Sequence, residues 1–273
     1  MGVMVLGVGR SGTSLAAAVI AALAHGSELP VDDFPATVDN PRGYRESMVL
    51  TDLNQRVLEA LGGSWNVPPV LSAGWTRRVS ARPEFTPDRS RAAFDSVFST
   101  PGWIWKDPRN TMLSPYWFEV LSTVDGIALI YRDPIEMARS TSRQFPGMSI
   151  AHGLALWERC VRSAVANSLG RSVLVMCHRD LIRDRDRWIG DAVDFVSHTG
   201  FQPAHSSVVN QVIEPSLHRQ RNEGDVGSNP GAPACQRLIR VLDELRGFHE
   251  TFPQVDLGTE SAEVEELFAS LRS

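Results

Sequence analysis

The stretch Gly7-Val8-Gly9-Arg10-Ser11-Gly12-Thr13-Ser14 follows an apolar run, Val3 to Val8, and leads into Thr13 to Ala24, a run of good helix formers. An apolar run without alternation reads as a strand buried on both faces, and the Ala- and Leu-rich run after it reads as a helix. Strand, glycine loop and helix in that order open an α/β nucleotide-binding fold. Backbone N–H groups from Gly9 to Ser14 would sit at the helix N-terminus, where the dipole favours an anion.

Further along, Gly126 to Tyr131 (GIALIY) and Ser172 to Cys177 (SVLVMC) read as buried parallel strands, and Trp103 to Lys106 as a shorter one before the turn at Asp107-Pro108. Helical patterns separate them. Ile150 to Leu169 carries Leu154, Trp157, Val161 and Val165 at helical spacing, and further helices are expected at Arg187 to Val196 and Gln236 to Phe248. The expected fold class is therefore α/β: three layers, a mostly parallel central sheet and a P-loop NTPase-like phosphate site, in a single domain over residues 1–273. Two stretches, 62–102 with five prolines and 214–233 with three glycines, read as loops that could form an acceptor wall or a lid.

The 273-residue length suits one large or two small domains at roughly 150 residues each. Hydrophobic residues at 42% and charged residues at 22% are ordinary globular values, which exclude disorder or coiled coil for the whole chain. Twenty-seven basic against 32 acidic side chains leave a net charge of −5, which argues against a nucleic-acid or anionic-membrane binder. Cys160, Cys177 and Cys235 are too scattered for a disulfide framework or a metal knuckle, so a reducing, cytoplasmic setting is the expectation. Leu15 to Ala24 imitates a secretory signal, but the residues before Arg10 are already apolar and glycine-punctuated, unlike a charged leader. The run is also well below the ~20 residues of a membrane span. No metal-binding histidine pattern is present, and no metal is expected.

Three templates compete for the glycine loop. As a dinucleotide fingerprint it satisfies G-x-G-x-x-G, with Asp32 twenty residues beyond Gly12. The approach to Asp32 is polar and broken by Pro30, a poor central strand. As a Walker A loop it has Thr13 where the phosphate-binding lysine belongs. The third reading keeps the phosphate cradle and supplies the cation from Arg10, with Thr13 and Ser14 as hydroxyl donors. Arg132, at the end of the GIALIY strand, and Ser140, in the helix after it, would then face the same crevice and clamp a second phosphate.

At these residues the chain resembles the sulfotransferases that use 3′-phosphoadenosine 5′-phosphosulfate (PAPS). The resemblance rests on Arg10-Ser11-Gly12-Thr13-Ser14 after the first strand, and on Arg132-Asp133-Pro134 with Ser140 eight residues after the arginine. Asn40-Pro41-Arg42-Gly43-Tyr44-Arg45-Glu46 and Trp105-Lys106-Asp107-Pro108-Arg109 are similar to segments of bacterial members. The resemblance implies that Gly9, Arg10, Ser11, Gly12, Thr13 and Ser14 hold the 5′-phosphosulfate, that Arg132 and Ser140 hold the 3′-phosphate, and that adenosine 3′,5′-bisphosphate (PAP) is released. It covers residues 3 to about 180. Two departures stand out. Cytosolic small-molecule members use lysine where this chain has Arg10, and a Lys-Thr-His triplet where it has Lys106-Asp107-Pro108. The arginine form resembles carbohydrate and tyrosyl-protein sulfotransferases, and the family's histidine base has no counterpart here.

Sulfuryl transfer needs positive charge on the leaving phosphate, for which Arg10 and Lys106 are the candidates, and a base for the acceptor hydroxyl. The resemblance makes Glu46 the first candidate base, since some sulfotransferase branches use a glutamate after the first helix, and Asp107 is the second, because it follows Lys106 at an expected strand end. The competing fate for Glu46 is an ion pair with Arg42 or Arg45, and for Arg132 a pair with Asp133. Arg219 and Arg221 could cover the nucleotide or lie on a solvated basic loop. Trp65, Trp75 and Trp103 could line an acceptor pocket, although core packing is the commoner fate of large aromatics. Trp157 and Trp188 read as core. His178-Arg179-Asp180-Leu181 imitates a kinase catalytic loop but lacks the asparagine that should follow, so Asp180 reads as structural. The expected acceptor is a small molecule, sugar or glycolipid bearing a hydroxyl, or less favourably an amine. A P-loop nucleotide kinase and a catalytically inactive PAP-binding module are the alternatives. Oligomeric state is not written in the sequence.

Overall fold

The computed structural model describes residues 1–25, 27, 29–30, 32–35, 43–100, 102–213 and 232–272. In chain order the main elements are β1 (Gly2–Leu6), α1 (Thr13–Leu23), β2 (Ala24–His25), α2 (Met48–Ala60), α3 (Trp75–Ser80), α4 (Pro87–Val97), β3 (Trp103–Lys106), α5 (Asn110–Val120), β4 (Gly126–Tyr131), α6 (Pro134–Gln144), α7 (Ile150–Ser168), β5 (Val173–Cys177), α8 (His178–Arg183), α9 (Ile189–His198), β6 (Gln202–Pro203), α10 (Ala232–Glu244), β7 (Gly247–His249) and α11 (Ala262–Arg272).

The central sheet runs β3-β1-β4-β5-β7. β3, β1, β4 and β5 are mutually parallel, and β7 closes one edge antiparallel to β5. Alternation along each strand divides the core in two. Met4, Leu6, Trp105, Leu129 and Val175 face a layer that includes α2, α5 and α7, while Val3, Val5, Ile104, Ile130 and Leu174 face α1 and α9. That is the expected three-layer α/β architecture. From β1 the chain crosses to β3 on one side and then back to β4 on the other, so the strand order reverses at β1. Ligands in open α/β sheets bind outside the carboxyl ends of the strands at such a reversal. Here the reversal lies beneath the glycine loop.

Two expectations about local structure are corrected. The stretch 62–102 is not one long loop: it holds α3, a single turn at Pro83–Phe85, and α4. Pro83 and Pro87 stand at the first positions of their helical segments, where a missing N–H removes no bond and the fixed φ favours helix entry. The helix expected over Gln236 to Phe248 ends at Glu244, because Gly247 adopts φ 109° and turns the chain into edge strand β7. The dinucleotide template also fails on topology. The partners of β1 are β3 and β4, and Asp32 ends no sheet strand; its carboxylate accepts bonds from Ser47 Oγ and Val49 N at the start of α2. Among the described residues no helix is long and apolar enough to cross a membrane.

Candidate functional site

Each parallel strand delivers polar side chains to one cavity of about 400 Å³. The glycine loop comes from β1, Lys106 ends β3 and is followed by Arg109, Arg132 follows β4, and His178 follows β5. Parallel strands all end on the same side of the sheet, so residues far apart in sequence converge there.

The loop is held open by backbone geometry. Gly12 caps α1 in the left-handed region, φ 91°, and a Cβ there would lie 2.3 Å from Cδ2 of His178. Glycine therefore serves both the turn and the packing of the imidazole against it. Arg10 also has positive φ, 68°, an uncommon state for a residue with a side chain. Its carbonyl accepts a bond from Arg132 Nη1 (3.3 Å), and its Nε donates to Ser140 Oγ (3.2 Å). Gly9, Arg10, Gly12, Thr13, Ser14, Arg132 and Ser140 all line the cavity. Ser11 does not: its side chain is fully buried, its amide closes a turn onto Val8 O, and its hydroxyl has no hydrogen-bond partner among the described residues. Ser14 Oγ donates to Tyr44 O (3.0 Å), tying the loop to the segment that carries Glu46.

Arg132 pairs with Glu136 (3.0 Å) rather than with its neighbour Asp133, whose carboxylate accepts from Ile135 N and Glu136 N and so caps α6. The arginine and serine expected to grip one phosphate thus touch Arg10, expected to grip the other.

Glu46 is placed by its backbone. Its N–H donates to Asp33 Oδ1 (2.8 Å), its carbonyl accepts from Phe34 N (3.2 Å), and Ser47 caps α2. The side chain points into the cavity, where Lys106 Nζ donates to Oε1, and Arg109 Nη1 lies 3.9 Å from Oε2. Neither Arg45 nor the described neighbours that precede it supply the partner seen here; Arg42 lies outside the described residues. Burial pushes the Glu46 carboxyl above the ordinary carboxylate range. Lys106 opposes that shift and the nearby Asp107 charge adds to it.

Asp107 is fully buried and does not line the cavity. It accepts from Asn54 Nδ2 (2.8 Å), Arg109 N (2.9 Å) and Arg109 Nη1 (3.1 Å). Asn54 is in turn held by Trp117 Nε1 (2.7 Å). Asp107 thereby orients Arg109, the cation that faces Glu46.

Trp65 lines the cavity, whereas Trp75 and Trp103 are buried in the core, as are Trp157 and Trp188. Asp180 accepts from Arg246 Nη1 (2.7 Å), an ion pair that ties α8 to the β7 edge. Arg219 and Arg221, and most of 214–233, lie outside the described residues. The three cysteines are buried free thiols. Among the described residues no cluster of His, Cys, Asp and Glu is arranged to hold a metal.

Arg109 and His178 are charged or titratable cavity residues to which the sequence pattern assigns no role in the site. Arg109 closes the Trp105-Lys106-Asp107-Pro108-Arg109 segment, and His178 opens the His178-Arg179-Asp180-Leu181 stretch that imitates a kinase loop. Position could have found both, since each follows a parallel strand at the ligand end of the sheet.

No known protein-family profile matches the chain, and no curated protein matches it. Among solved structures, the sulfotransferase domain from the Synechococcus PCC 7002 olefin synthase gives a TM-score of 0.46 at 17% identity, covering 100% of this chain and 94% of that one. The sulfotransferase domain from the curacin biosynthetic pathway gives 0.42 at 14% identity, covering 98% and 96%. At these values the roles of individual residues rest on the geometry of the cavity itself.

Proposed function

We propose that the chain transfers the sulfuryl group of PAPS to a hydroxyl and releases PAP. The observation that carries this reading is the meeting, in one cavity, of an arginine-bearing glycine loop at a helix N-terminus, a second arginine with a serine, and a buried Glu46–Lys106 pair.

The fit to a bisphosphorylated nucleotide is one of charge and donors. Thr13, at the first turn of α1, follows a glycine cap that brings no side chain to the helix N–H groups, leaving them to an anion. Gly9 has open space where a Cβ would be, so the backbone there can be approached closely. Arg10 and Arg132 bring fixed positive charge, and Ser140 brings a hydroxyl. The co-substrate supplies a sulfuryl group whose bond to the 5′-phosphate oxygen breaks, the electron pair staying on that oxygen, as the acceptor oxygen bonds to sulfur.

This chain's residues do the rest. Glu46 takes the acceptor's proton, and the raised pKa that burial gives it makes it a stronger base than an exposed carboxylate. Lys106 favours the ionised form of Glu46 against the effect of burial and can follow the charge that develops on the transferring group. Arg10 stabilises the leaving phosphate. Arg109, braced by Asp107, adds a second positive charge near the carboxylate. In this reading the counter-charge comes from side chains.

The test is calorimetric titration with PAP, with ATP and Mg²⁺, and with NADH in parallel. Tight PAP binding without Mg²⁺ is expected. ATP binding only with Mg²⁺, together with no PAP binding, would instead favour a nucleotide kinase. PAP binding without turnover across a broad acceptor panel would favour an inactive binding module.

A further inference from the structure

The cavity has two chemically distinct walls. One is the phosphate loop with Arg10, Arg132 and Ser140. The other comes from the layer containing α2, α5 and α7: Leu58, Met112, Leu156 and Cys160 belong to that core cluster, and Trp65 packs against it.

Several polar atoms of this second wall are already engaged. Ser64 Oγ donates to Asn66 Oδ1 (2.7 Å) and accepts from Val67 N (3.2 Å). Thr141 Oγ1 donates to the Met137 sulfur. Cys160 stays a neutral thiol, burial pushing its pKa up to about 12. The ionisable groups just behind the wall are turned onto its backbone: His152 Nε2 donates to Asn66 O (2.6 Å), and Arg159 Nη1 to Pro68 O (2.9 Å). The Phe268 ring backs both, 5.8 Å from the His152 ring and 4.8 Å from the Arg159 guanidinium carbon. Arg159 is further locked by Glu260 and Glu265. The wall is therefore built in advance, with Trp65 held against Phe145 at 4.9 Å. Gln144 and Arg143, the remaining polar side chains near it, stand at the half-buried to exposed end of α6.

Resting on the sulfuryl-transfer reading, we infer that the acceptor is an uncharged alcohol on a predominantly apolar body, which packs on Leu58, Trp65, Met112 and Leu156 and presents its hydroxyl to Glu46. The transfer balances within that pair: the alcohol O–H proton goes to the Glu46 carboxylate, and the alcohol oxygen gains the sulfuryl group that the 5′-phosphate oxygen releases. A sugar seated on this wall would bury hydroxyls against Leu58, Met112 and Leu156, side chains that offer no hydrogen-bond partner, each such hydroxyl weakening binding by roughly tenfold or more. An apolar body loses nothing there and gains buried area.

The experiment uses the full chain loaded with PAP, titrated calorimetrically with naphthol, octanol and methyl glucoside, followed by turnover of the same three with radiolabelled PAPS. Naphthol or octanol should bind at least about tenfold more tightly than methyl glucoside and be the compound sulfated. Trp65→Ala, and separately the exposed Phe145→Ala, should weaken binding of the apolar alcohol several-fold and leave PAP affinity unchanged. Equal or tighter binding of methyl glucoside, no binding of either apolar alcohol, or insensitivity to both substitutions, with PAP still bound, would overturn the inference and leave sulfuryl transfer standing. Absence of PAP binding would remove the underlying reading, and the inference with it.

Discussion

Glu46 and Lys106 lie sixty residues apart in sequence and meet as an ion pair almost out of solvent, the carboxylate entering from the segment before α2 and the ammonium from the end of β3. Arg109 flanks the second carboxylate oxygen, and Asp107 sits behind Arg109. Two carboxylates and two cations thus alternate across a few ångströms. Of these two carboxylates, only that of Glu46 faces the cavity.

Glu46→Gln should lower kcat by about 10²–10⁴-fold and leave PAP affinity nearly unchanged. The pH profile should show which form acts. Because burial raises the Glu46 pKa, the acidic limb of kcat should fall above the pH expected of an ordinary carboxylate, with activity lost as pH drops through it. Stability runs the other way. A carboxyl whose folded-state pKa is raised contributes stability that is present below its unfolded pKa and is lost as pH rises through the folded value. Denaturant titrations across that window should be flatter for Glu46→Gln than for wild type. A wild-type kcat in the variant rules out the base assignment.

Asp107→Ala should be read as a stability change. Removing a buried acceptor strands the Asn54 amide and the Arg109 donors, at about 2–4 kcal/mol in urea unfolding. Residual activity should show its acidic limb at lower pH than wild type, because the Asp107 charge is one of the causes that raise the Glu46 pKa. Loss of turnover as complete as in Glu46→Gln, in a variant that still folds and binds PAP, would move the base role from Glu46 to Asp107.

Gly12→Ala meets two obstacles: a left-handed φ and the His178 ring. The expected loss is about 1–3 kcal/mol in thermal unfolding, together with weakened PAP binding. Adding His178→Ala should restore only part of the stability, since the ring is removed but the backbone strain remains. Full recovery would mean that the φ requirement is negligible.

Arg132→Ala should weaken PAP about 10–100-fold, with partial recovery in Arg132→Lys, which restores charge without the planar fork. Ser140→Ala should have a smaller effect, and one not additive with loss of the Arg10 side chain, because Arg10 Nε and Ser140 Oγ are bonded to each other. A double-mutant cycle by calorimetry measures that coupling.

Phe268→Ala should loosen the cavity wall from behind. His152 and Arg159 both pack on that ring while holding the carbonyls of Asn66 and Pro68. Amide exchange at residues 64–68 should speed up and acceptor KM should rise, with PAP affinity unchanged. Faster exchange throughout the chain would mark a general loss of stability instead.

The buried strands were legible as unbroken apolar runs because a parallel strand is covered on both faces and leaves its composition in the sequence. The glycine loop, and the eight-residue spacing that brings Arg132 and Ser140 to one crevice, were legible for a related reason: both are short-range, and a strand end followed by a helix start has few conformations. The misreadings were also local. Prolines that open helical segments between 83 and 97 looked like loop punctuation, and Gly247 turned an expected helix end into strand β7.

By itself, then, the sequence determined that β1, a glycine loop and α1 follow one another as strand, turn and helix, and that Arg10 and Arg132 stand just beyond strand ends. Tertiary structure decided which carboxylate meets Lys106, that Asp107 is turned away to brace Arg109, and that an apolar wall pinned from the C-terminal helix α11 lines the same cavity as the glycine loop. The physical reason is range. Backbone propensity and side-chain periodicity act over a few residues, whereas these pairings arise only when parallel strands align their carboxyl ends and the helical layers close over them.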